Sequence, residues 1–197
     1  MSKPVLLFDL DGVCCDLMKK WLAVYNHDYG DNLTEADITS WNWDEFVKPE
    51  CGKRIYHYLN RPGFFADLEP IEGCVESLDR LERICELVVV TARHPRLQGL
   101  TRAWLDYHGV PVHRLHFLEG ASKAPTALAE GLDCMVEDAP HNALALAEAG
   151  VPVLLFGRPY NQGLAHPLIH RCDGWADVLE QIRSGSLPGR PSQRFPA

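Results

Sequence analysis

Short apolar runs alternate with amphipathic stretches along most of this chain. Runs rich in Val, Leu and Phe predict β-strands, and they occupy Val5–Phe8, Leu87–Val90, His113–Leu118, Met135–Val136 and Val151–Phe156. Apolar residues at helical spacing predict helices, with faces formed by Val75, Leu78, Leu81 and Cys85; Leu97, Leu100 and Trp104; Ala143, Leu144 and Ala147; and Trp175, Val178, Leu179 and Ile182. Strands that are apolar on both faces and separated by helices indicate an α/β fold, a doubly wound parallel sheet covered on both sides.

One long segment interrupts this alternation. About 80 residues separate the first two strands, far more than a crossover helix needs. Within this segment, Met18, Trp21, Leu22 and Tyr25 mark one helix, and Thr34–Asp37 has the pattern of a second, capped helix start. We therefore predict a helical cap over residues 13–72, inserted into an α/β core of residues 1–12 and 73–184. Residues 185–197 are rich in Ser, Gly, Pro and Arg and are expected to be disordered.

Composition and charge narrow the functional classes. Lysine and arginine number 19 against 27 aspartate and glutamate residues, which gives a formal net charge of −8. An acidic chain is a poor binder of polymeric nucleic acid or of an anionic membrane, because both require a basic surface. No apolar run has the length of a membrane span, and the N-terminal run is too short for a signal peptide. Seven cysteines without a C-x-x-C pair predict a reduced, cytoplasmic protein without disulfides.

The strongest chemical signal is Phe8-Asp9-Leu10-Asp11-Gly12-Val13, which contains the end of the first strand. Ligands of such sheets bind beyond the carboxyl ends of the strands, so both carboxylates are predicted to lie where a site forms. Two acids flanking one residue can bind a divalent cation and act as nucleophile or as acid and base. Taken alone, the same residues also fit a polar strand end with an Asp-Gly turn.

Further strand ends carry complementary groups. The second strand is followed by Thr91-Ala92-Arg93, the strand at Met135–Val136 is followed by Glu137-Asp138, and Lys123 precedes the helix leading into that strand. Each of these residues alone has a structural explanation as a turn, cap or solvated residue. Together they supply acids, a hydroxyl and a cation at one edge of the sheet, which suits a phosphoryl group and a divalent cation.

This order of motifs resembles the haloacid dehalogenase (HAD) superfamily, and its phosphatases in particular. Asp9-Leu10-Asp11-Gly12 is similar to the first motif of the superfamily, Thr91 to the second, Lys123 to the third and Glu137-Asp138 to the fourth. The resemblance covers nearly the whole chain up to its C-terminal tail, and the predicted insertion lies where these proteins carry a cap. It implies a HAD-like Rossmannoid core with a small cap after the first strand.

A narrower resemblance connects the chain with the 5′(3′)-deoxyribonucleotidases and their bacterial relatives. It rests on Phe64-Phe65, on Leu68–Gly73 and on Leu155–Asn161. Two positions depart from the animal enzymes of that family, because Thr91 is followed by Ala92-Arg93 rather than Ser-Pro, and Glu137 replaces an aspartate. The resemblance implies hydrolysis of a nucleoside monophosphate, and these departures leave the substrate less closely defined than the reaction.

The resemblance also implies roles for individual residues. Asp9 would attack phosphorus to give an aspartyl-phosphate, while Asp11 would protonate the leaving alkoxide and later deprotonate water. Mg²⁺ would offset the repulsion between carboxylate and phosphate. The implied metal ligands are Asp9, the backbone carbonyl of Asp11, and Asp138; the implied phosphate-binding residues are Thr91, Ala92 and Lys123. Glu137 would orient Lys123 or a metal-bound water, and Asn142 would either do the same or cap its helix.

Aromatic residues of the predicted cap are candidates for binding the rest of the substrate. Trp41 or Trp43 could stack on a base, as could Phe65 or Tyr56, although aromatic side chains more often pack in a core. We therefore expect a small phosphorylated substrate, a nucleoside monophosphate, bound by a monomer or homodimer. The alternatives are a phosphatase or phosphomutase acting on a sugar phosphate or another small metabolite. A catalytically silent scaffold would predict a broken acid set, whereas this sequence retains every acid of the motifs.

Overall fold

The computed structural model describes residues 3–185 and Leu187, which form one six-stranded sheet with helices on both faces. The strands are β1 (Val5–Phe8), β2 (Glu86–Thr91), β3 (Arg114–Phe117), β4 (Cys134–Glu137), β5 (Val153–Phe156) and β6 (Ile169–Cys172). The helices are α1 (Leu17–Tyr29), α2 (Ile55–Leu59), α3 (Cys74–Glu82), α4 (Gln98–His108), α5 (Ala124–Ala129), α6 (Pro140–Glu148) and α7 (Trp175–Ser184). No helix in the described part of the chain combines the length and the apolar composition of a membrane span.

All neighbouring strands are parallel, and their order across the sheet is β3-β2-β1-β4-β5-β6. The order reverses at β1, where Phe8 pairs with Val89 of β2 on one side and with Val136 of β4 on the other. Asp9 extends this pairing, since its backbone N–H donates to the carbonyl of Val136 at 3.1 Å. The residues that follow β1 are thus held beside those that end β2 and β4, at the edge where open parallel sheets bind ligands.

The sheet separates two hydrophobic clusters. Leu6 and Phe8 belong to the larger cluster, which includes residues of α1, α3, α4 and α7, whereas Leu7 belongs to the smaller cluster with α5 and α6. All three side chains are fully buried. Because both faces of β1 are covered in this way, its sequence is a continuous apolar run rather than an alternating one.

The segment between β1 and α3 leaves and rejoins the sheet through two adjacent stretches of backbone. The N–H of Asp16 donates to the carbonyl of Glu69 at 2.8 Å, and the N–H of Ile71 donates to the carbonyl of Cys14 at 2.8 Å. The segment contains α1, α2 and several 3₁₀ turns. The first and last residues of the segment are therefore hydrogen-bonded to each other, next to the residues that follow β1.

The predicted fold class and most of the predicted elements are confirmed. All five apolar runs form strands, and the faces predicted around Trp21, Leu78, Trp104 and Trp175 lie on α1, α3, α4 and α7. One strand was not predicted, because Ile169–Cys172 has only two apolar residues, which alternate imperfectly with His and Arg. It forms β6 at the edge of the sheet, where fewer neighbouring elements cover a strand and fewer apolar residues are therefore needed.

One local prediction is confirmed only in part, and one is wrong. Thr34 has the hydrogen bonds of a capping box, but the turn that it begins is only the 3₁₀ segment Glu35–Asp37, which has no buried residue to hold a longer helix. Leu144 of α6 is 36% exposed, and the buried face of that helix consists of Ala143, Leu146 and Ala147 instead. The disorder predicted for residues 185–197 falls, apart from Gly185 and Leu187, outside the described residues.

Trp175, the first residue of α7, joins the sheet to the residues after β1. Its ring packs edge-on against Phe8 at 6.1 Å and against Phe156 at 5.7 Å between centroids. Its indole N–H donates to the carbonyl of Val13 at 2.8 Å, and its own carbonyl accepts from the hydroxyl of Ser77 at 3.3 Å. Since the side chain is 1% exposed, its loss would leave both a cavity and an unpaired carbonyl.

Replacing Trp175 by alanine is expected to lower the free energy of unfolding by about 3–5 kcal/mol, the usual cost of removing a large buried aromatic side chain. Tyr107→Ala is the control, because Tyr107 of α4 is 84% exposed and its removal should change stability by less than about 0.5 kcal/mol. Urea denaturation followed by circular dichroism measures both. Equal stability of the two variants would show that α7 does not hold the end of β1.

Candidate active site

The candidate site lies beyond the carboxyl ends of β1, β2 and β4. Asp9 and Asp11 follow β1, Thr91 ends β2, and Glu137 and Asp138 stand at the end of β4. Lys123 immediately precedes α5 and reaches the same edge. The polar residues that the sequence places after separate strands are thus neighbours in the fold.

A buried ammonium lies at the centre of the site. The Nζ of Lys123 is 2.5 Å from Oδ2 of Asp9 and 2.7 Å from Oε2 of Glu137, and the side chain is 1% exposed. Asp9, Glu137 and Asp138 each contribute a carboxylate oxygen to a group whose members lie within 4.8 Å of one another. Three carboxylates against one ammonium leave the ionised cluster with a charge of −2. Buried charge of this size requires compensation from another positive group.

Asp138 is the carboxylate with room for such a group. Its Oδ2 accepts a hydrogen bond of 2.5 Å from the hydroxyl of Tyr160, while its Oδ1 is buried and has no hydrogen-bond partner among the described residues. By contrast, both oxygens of Asp9 are occupied, one by Lys123 and the other by the backbone N–H of Leu10 at 2.7 Å. An orphaned carboxylate oxygen beside a second carboxylate, in a cluster with excess negative charge, fits a small divalent cation.

The direction of the pKa shifts agrees with this charge imbalance. Burial raises the pKa of Asp9 well above its ordinary value, although the ammonium of Lys123 opposes the shift. Burial, followed by the charge of Glu137, raises the pKa of Asp138 to about 7. Burial lowers the pKa of Lys123, but the charges of Asp9 and Glu137 outweigh it and raise that pKa above its ordinary value. A further positive charge would therefore stabilise the ionised carboxylates.

Glu137 and Asn142 support the cluster from the side of α6. Glu137 is fully buried, with Oε2 on Lys123 and Oε1 accepting from the backbone N–H of Ala139 at 3.1 Å. Asn142, in the first turn of α6, donates to the same Oε1 at 3.3 Å. Both oxygens of Glu137 therefore accept hydrogen bonds, and through one of them Glu137 orients the ammonium of Lys123.

The side chain of Asp11 lies outside the carboxylate cluster. Its two oxygens accept hydrogen bonds from Nε and Nη2 of Arg93 at 2.9 and 2.7 Å, in the parallel geometry of a guanidinium and a carboxylate. Arg93 is buried, and its charge is therefore balanced by Asp11 rather than presented to solvent. The structure thus separates the two aspartates of the first motif, with Asp9 paired to Lys123 and Asp11 paired to Arg93.

The residues after β2 have different environments. Thr91 is fully buried and its hydroxyl accepts from the backbone N–H of Arg93 at 3.2 Å, which leaves the hydroxyl proton available for donation. Ala92 lines the cavity beside Asp9, and its carbonyl accepts from the N–H of Gly120 at 3.0 Å. This last bond holds the loop before Lys123 against the end of β2.

A cavity of about 890 Å³ opens in front of Asp9, Asp11 and Asp138. Trp41 and Tyr56 line it and are 40% and 39% exposed, so their rings are accessible from the cavity. The volume is large enough for a small-molecule ligand. Aromatic and carboxylate side chains therefore give the cavity an apolar part and a charged part.

Trp41, Trp43 and Phe65, which are among the residues predicted to stack on a base, have different surroundings. Trp41 packs against His141 and Tyr160, with ring centroids 5.1 and 5.3 Å away, and keeps an exposed face. Trp43 is 8% exposed and its ring lies 4.9 Å from that of Trp21, so it belongs mainly to the core of the inserted segment. The ring of Phe65 is also buried and lies beneath the guanidinium of Arg93 at 4.6 Å.

The turn after β5 supplies site residues to which the sequence gave no role. Tyr160 binds Asp138 as described above, and Asn161 donates to the backbone carbonyls of Asp138 and Phe156 at 2.7 and 2.8 Å. Arg158 donates to the carbonyl of Gly12 at 2.9 Å and to Glu35 of the inserted segment at 3.0 Å. The position of this turn, directly after a buried strand next to β4, was the available signal.

Comparison with known sequences identifies a family. A sequence model described as "5′ nucleotidase, deoxy (Pyrimidine), cytosolic type C protein" matches residues 3–186. A 5′(3′)-deoxyribonucleotidase of Clostridium acetobutylicum is 39% identical over 94 residues, which cover 48% of this chain and 52% of that relative. A 5′(3′)-deoxyribonucleotidase of Bacillus subtilis is 28% identical over 163 residues, which cover 81% of this chain and 88% of that relative. The alignment with the Clostridium protein thus spans about half the length of that relative.

Comparison with solved structures supports the fold. A haloacid dehalogenase-like hydrolase from Streptococcus pneumoniae superposes with a TM-score of 0.65, covering 91% of this chain and 98% of the other at 14% sequence identity. At this identity the likeness concerns the fold, and it agrees with the HAD-like core expected from the motifs. The parallel sheet and the elements around it thus have a known counterpart.

Gly12 provides a test of the site geometry. Its φ of 83° disfavours any side chain, and a Cβ atom at this position would lie 2.1 Å from Oδ2 of Asp138. We expect Gly12→Ala to lower the free energy of unfolding by about 1–3 kcal/mol and to displace the carboxylate of Asp138. Affinity for Mg²⁺ should then fall by about tenfold or more, measured by titration calorimetry alongside urea denaturation.

Gly99→Ala is the matched control, because Gly99 lies in α4 and a Cβ atom there meets nothing within 4 Å. This substitution should leave stability unchanged or raise it slightly. If Gly12→Ala matched the control in both measurements, the carboxylate of Asp138 would have room to move and the cluster would not be a rigid site.

Proposed function

The chain belongs to the family of cytosolic type C 5′-nucleotidases, and from this membership we propose that it is a Mg²⁺-dependent phosphoric monoester hydrolase. Its proposed substrates are nucleoside monophosphates, deoxyribonucleotides included, and its proposed nucleophile is Asp9. The observation that carries the proposal is the buried group of Asp9, Glu137 and Asp138 beside Lys123, of which Asp9 and Asp138 line a cavity with exposed aromatic surface. A phosphate dianion needs positive groups such as Lys123 and a bound cation, and an attacking carboxylate needs its own charge balanced.

Asp9, Asp138 and the backbone carbonyl of Asp11 would hold the cation. The orphaned Oδ1 of Asp138 and the excess negative charge of the cluster both suit Mg²⁺, which prefers oxygen ligands and retains several waters. When bound, the cation supplies positive charge that reduces the repulsion between the carboxylate of Asp9 and the phosphate. Glu137 is a weaker candidate ligand, since it is fully buried and does not line the cavity, whereas Asp9 and Asp138 do.

In the proposed first step, Asp9 attacks the phosphorus atom. A bond forms between a carboxylate oxygen and phosphorus, the bond to the leaving oxygen breaks, and Asp11 gives its proton to that oxygen. Lys123 then holds an oxygen of the transferring group, while Glu137 keeps the ammonium in place. Thr91 offers its hydroxyl proton to a second oxygen, and Ala92 borders the phosphate.

In the proposed second step, water hydrolyses the aspartyl-phosphate. Asp11, which has lost its proton, now accepts one from the attacking water, so the same side chain serves both steps in opposite directions. The bond between phosphorus and Asp9 breaks and free phosphate is formed. Asp11 lines the cavity and its side chain is 20% exposed, which allows it to meet both the leaving group and the water.

The aromatic part of the cavity supports a nucleoside as the rest of the substrate. Trp41 and Tyr56 offer exposed ring faces on which a base can stack, whereas a sugar phosphate would gain little from such faces. Residues 13–72 would act as a cap that covers the site and excludes water before the first step. A cytoplasmic location is part of the proposal, because seven cysteines without a C-x-x-C pair are typical of a protein from a reducing compartment; a monomer or a homodimer would be equally compatible with the site.

The substrate proposal predicts a ranking in a panel of phosphate monoesters. With Mg²⁺ present, the protein should release phosphate from deoxyribonucleoside and ribonucleoside monophosphates with a higher kcat/KM than from sugar phosphates, and chelation should stop the reaction reversibly. Sugar phosphates as the better substrates would contradict the nucleoside assignment alone. Phosphate release from none of the monoesters would contradict the hydrolase assignment itself.

The role of Asp9 predicts that Asp9→Asn loses at least about 10³-fold in kcat on the best substrate, because the amide cannot form the acyl phosphate. Circular dichroism should show a retained fold. Asp106→Asn, which removes an exposed carboxylate of α4, should keep wild-type kinetics. Undiminished turnover by Asp9→Asn would eliminate the covalent mechanism.

A further inference from the structure

Arg93 is buried and hydrogen-bonded to several residues of the site, whereas an arginine at a strand end often extends into solvent. Its side chain is 2% exposed, and the guanidinium donates to Asp11 twice, to Sγ of Cys15 at 3.2 Å and to Oγ1 of Thr101 at 3.0 Å. The ring of Phe65 lies 4.6 Å from its centre. These partners come from the residues after β1, from the inserted segment and from α4, so Arg93 is fixed from several sides.

We propose that Arg93 is a positioning residue that holds the carboxyl group of Asp11 at the leaving oxygen of the substrate. This inference rests on the proposed function, because it assigns Arg93 a part in the first step of that reaction. Arg93 acts through Asp11 and does not itself contact the reacting atoms.

The hydrogen bonds of Arg93 argue against the alternative that it binds phosphate directly. A guanidinium has five N–H donors, and four hydrogen bonds to protein groups already engage all three of its nitrogens. The positive charge is also matched by Asp11, and the guanidinium itself is withdrawn from solvent. Lys123 has a different surrounding, since two carboxylates of the cluster share its single charge.

In this geometry Asp11 keeps one acceptor site free. A carboxylate has about four lone-pair sites on its two oxygens; the two hydrogen bonds from Arg93 occupy one on each oxygen, and the thiol of Cys15 donates to Oδ1 at 3.3 Å. The site that remains, on Oδ2, is where the proposed first step would place the proton that passes to the leaving group. Without Arg93, the Asp11 side chain would lose the partner that fixes its rotation, and proton transfer depends steeply on such placement.

The choice of leaving group separates this role from a structural one. A nucleoside alkoxide needs a proton as it leaves, whereas p-nitrophenolate leaves readily without one. The kcat/KM value reports on the steps up to the first irreversible one, which here is departure of the leaving group. A residue that positions the acid should therefore matter for a nucleoside monophosphate and matter little for p-nitrophenyl phosphate.

The experiment measures kcat/KM of Arg93→Met on both substrates with the same enzyme preparation. We expect a loss of about 10²-fold on the nucleoside monophosphate and a loss of less than about threefold on p-nitrophenyl phosphate. The ratio of the two values does not depend on the fraction of enzyme that is folded, so it remains informative if the variant is less stable. Arg102→Met, at an exposed position on α4, should leave both values unchanged.

Two further variants test whether Arg93 acts through Asp11. Asp11→Asn should show the same selective loss, and the double variant should lose little more than Asp11→Asn alone, because the two residues form one unit. Arg93→Lys keeps the charge but cannot donate through two parallel N–H groups. It should therefore retain only part of the wild-type kcat/KM on the nucleoside monophosphate, and more than Arg93→Met retains.

The outcomes distinguish this inference from the proposed function. Equal losses on the two substrates, or losses that multiply in the double variant, would overturn the positioning role of Arg93 while leaving the hydrolase assignment intact. Absence of activity in the wild-type protein on both phosphate esters would instead overturn the proposed function.

Discussion

The arrangement of this protein depends on an unbalanced buried charge. Three carboxylates from the ends of β1 and β4 lie together with the single ammonium of Lys123, which contacts two of them, and all three are almost fully buried. A cluster of this kind costs stability unless protein dipoles and added cations compensate it. The neighbouring structure supplies part of that compensation, since Tyr160 donates to Asp138, Leu10 donates through its backbone to Asp9, and Ala139 does so to Glu137. The rest is left for ligands, in keeping with the proposed role of the cluster in holding a cation and a phosphate.

A second consequence concerns the two aspartates of the first motif, which are separated by a single residue yet belong to different ion pairs. Asp9 shares Lys123 with Glu137, whereas Asp11 has the whole charge of Arg93. The two carboxylates are therefore paired with separate cations, although only one residue lies between them in the sequence. Gly12 makes the separation possible, since only a residue without a Cβ atom can pass beside Asp138 at this turn.

The sequence predicted those parts of the fold and site that depend on local pattern. Buried strands of a parallel sheet are apolar throughout, so β1, β2 and β5 could be recognised, and the strand-end rule then placed Asp9, Thr91 and Asp138 at one edge. The contacts of Arg93 and Tyr160 could not be derived in this way, because they depend on which of several neighbouring carboxylates each side chain reaches. The edge strand β6 was missed for a related reason, since its apolar pattern is weak and its pairing with β5 is a long-range property.

Residues of the inserted segment contact the residues of the two ion pairs or their neighbours, and these contacts affect how a ligand binds in the cavity. Phe65 packs beneath Arg93, while Trp41 packs against Tyr160, the residue that binds Asp138. Arg158 adds a direct bridge from Glu35 to the backbone of Gly12. A ligand that stacks on Trp41 therefore contacts a residue that is separated from Asp138 only by the side chain of Tyr160. Substrate contacts far from the phosphate can in this way affect the groups that act on it, which is the arrangement expected where binding energy of the remote part serves the reaction.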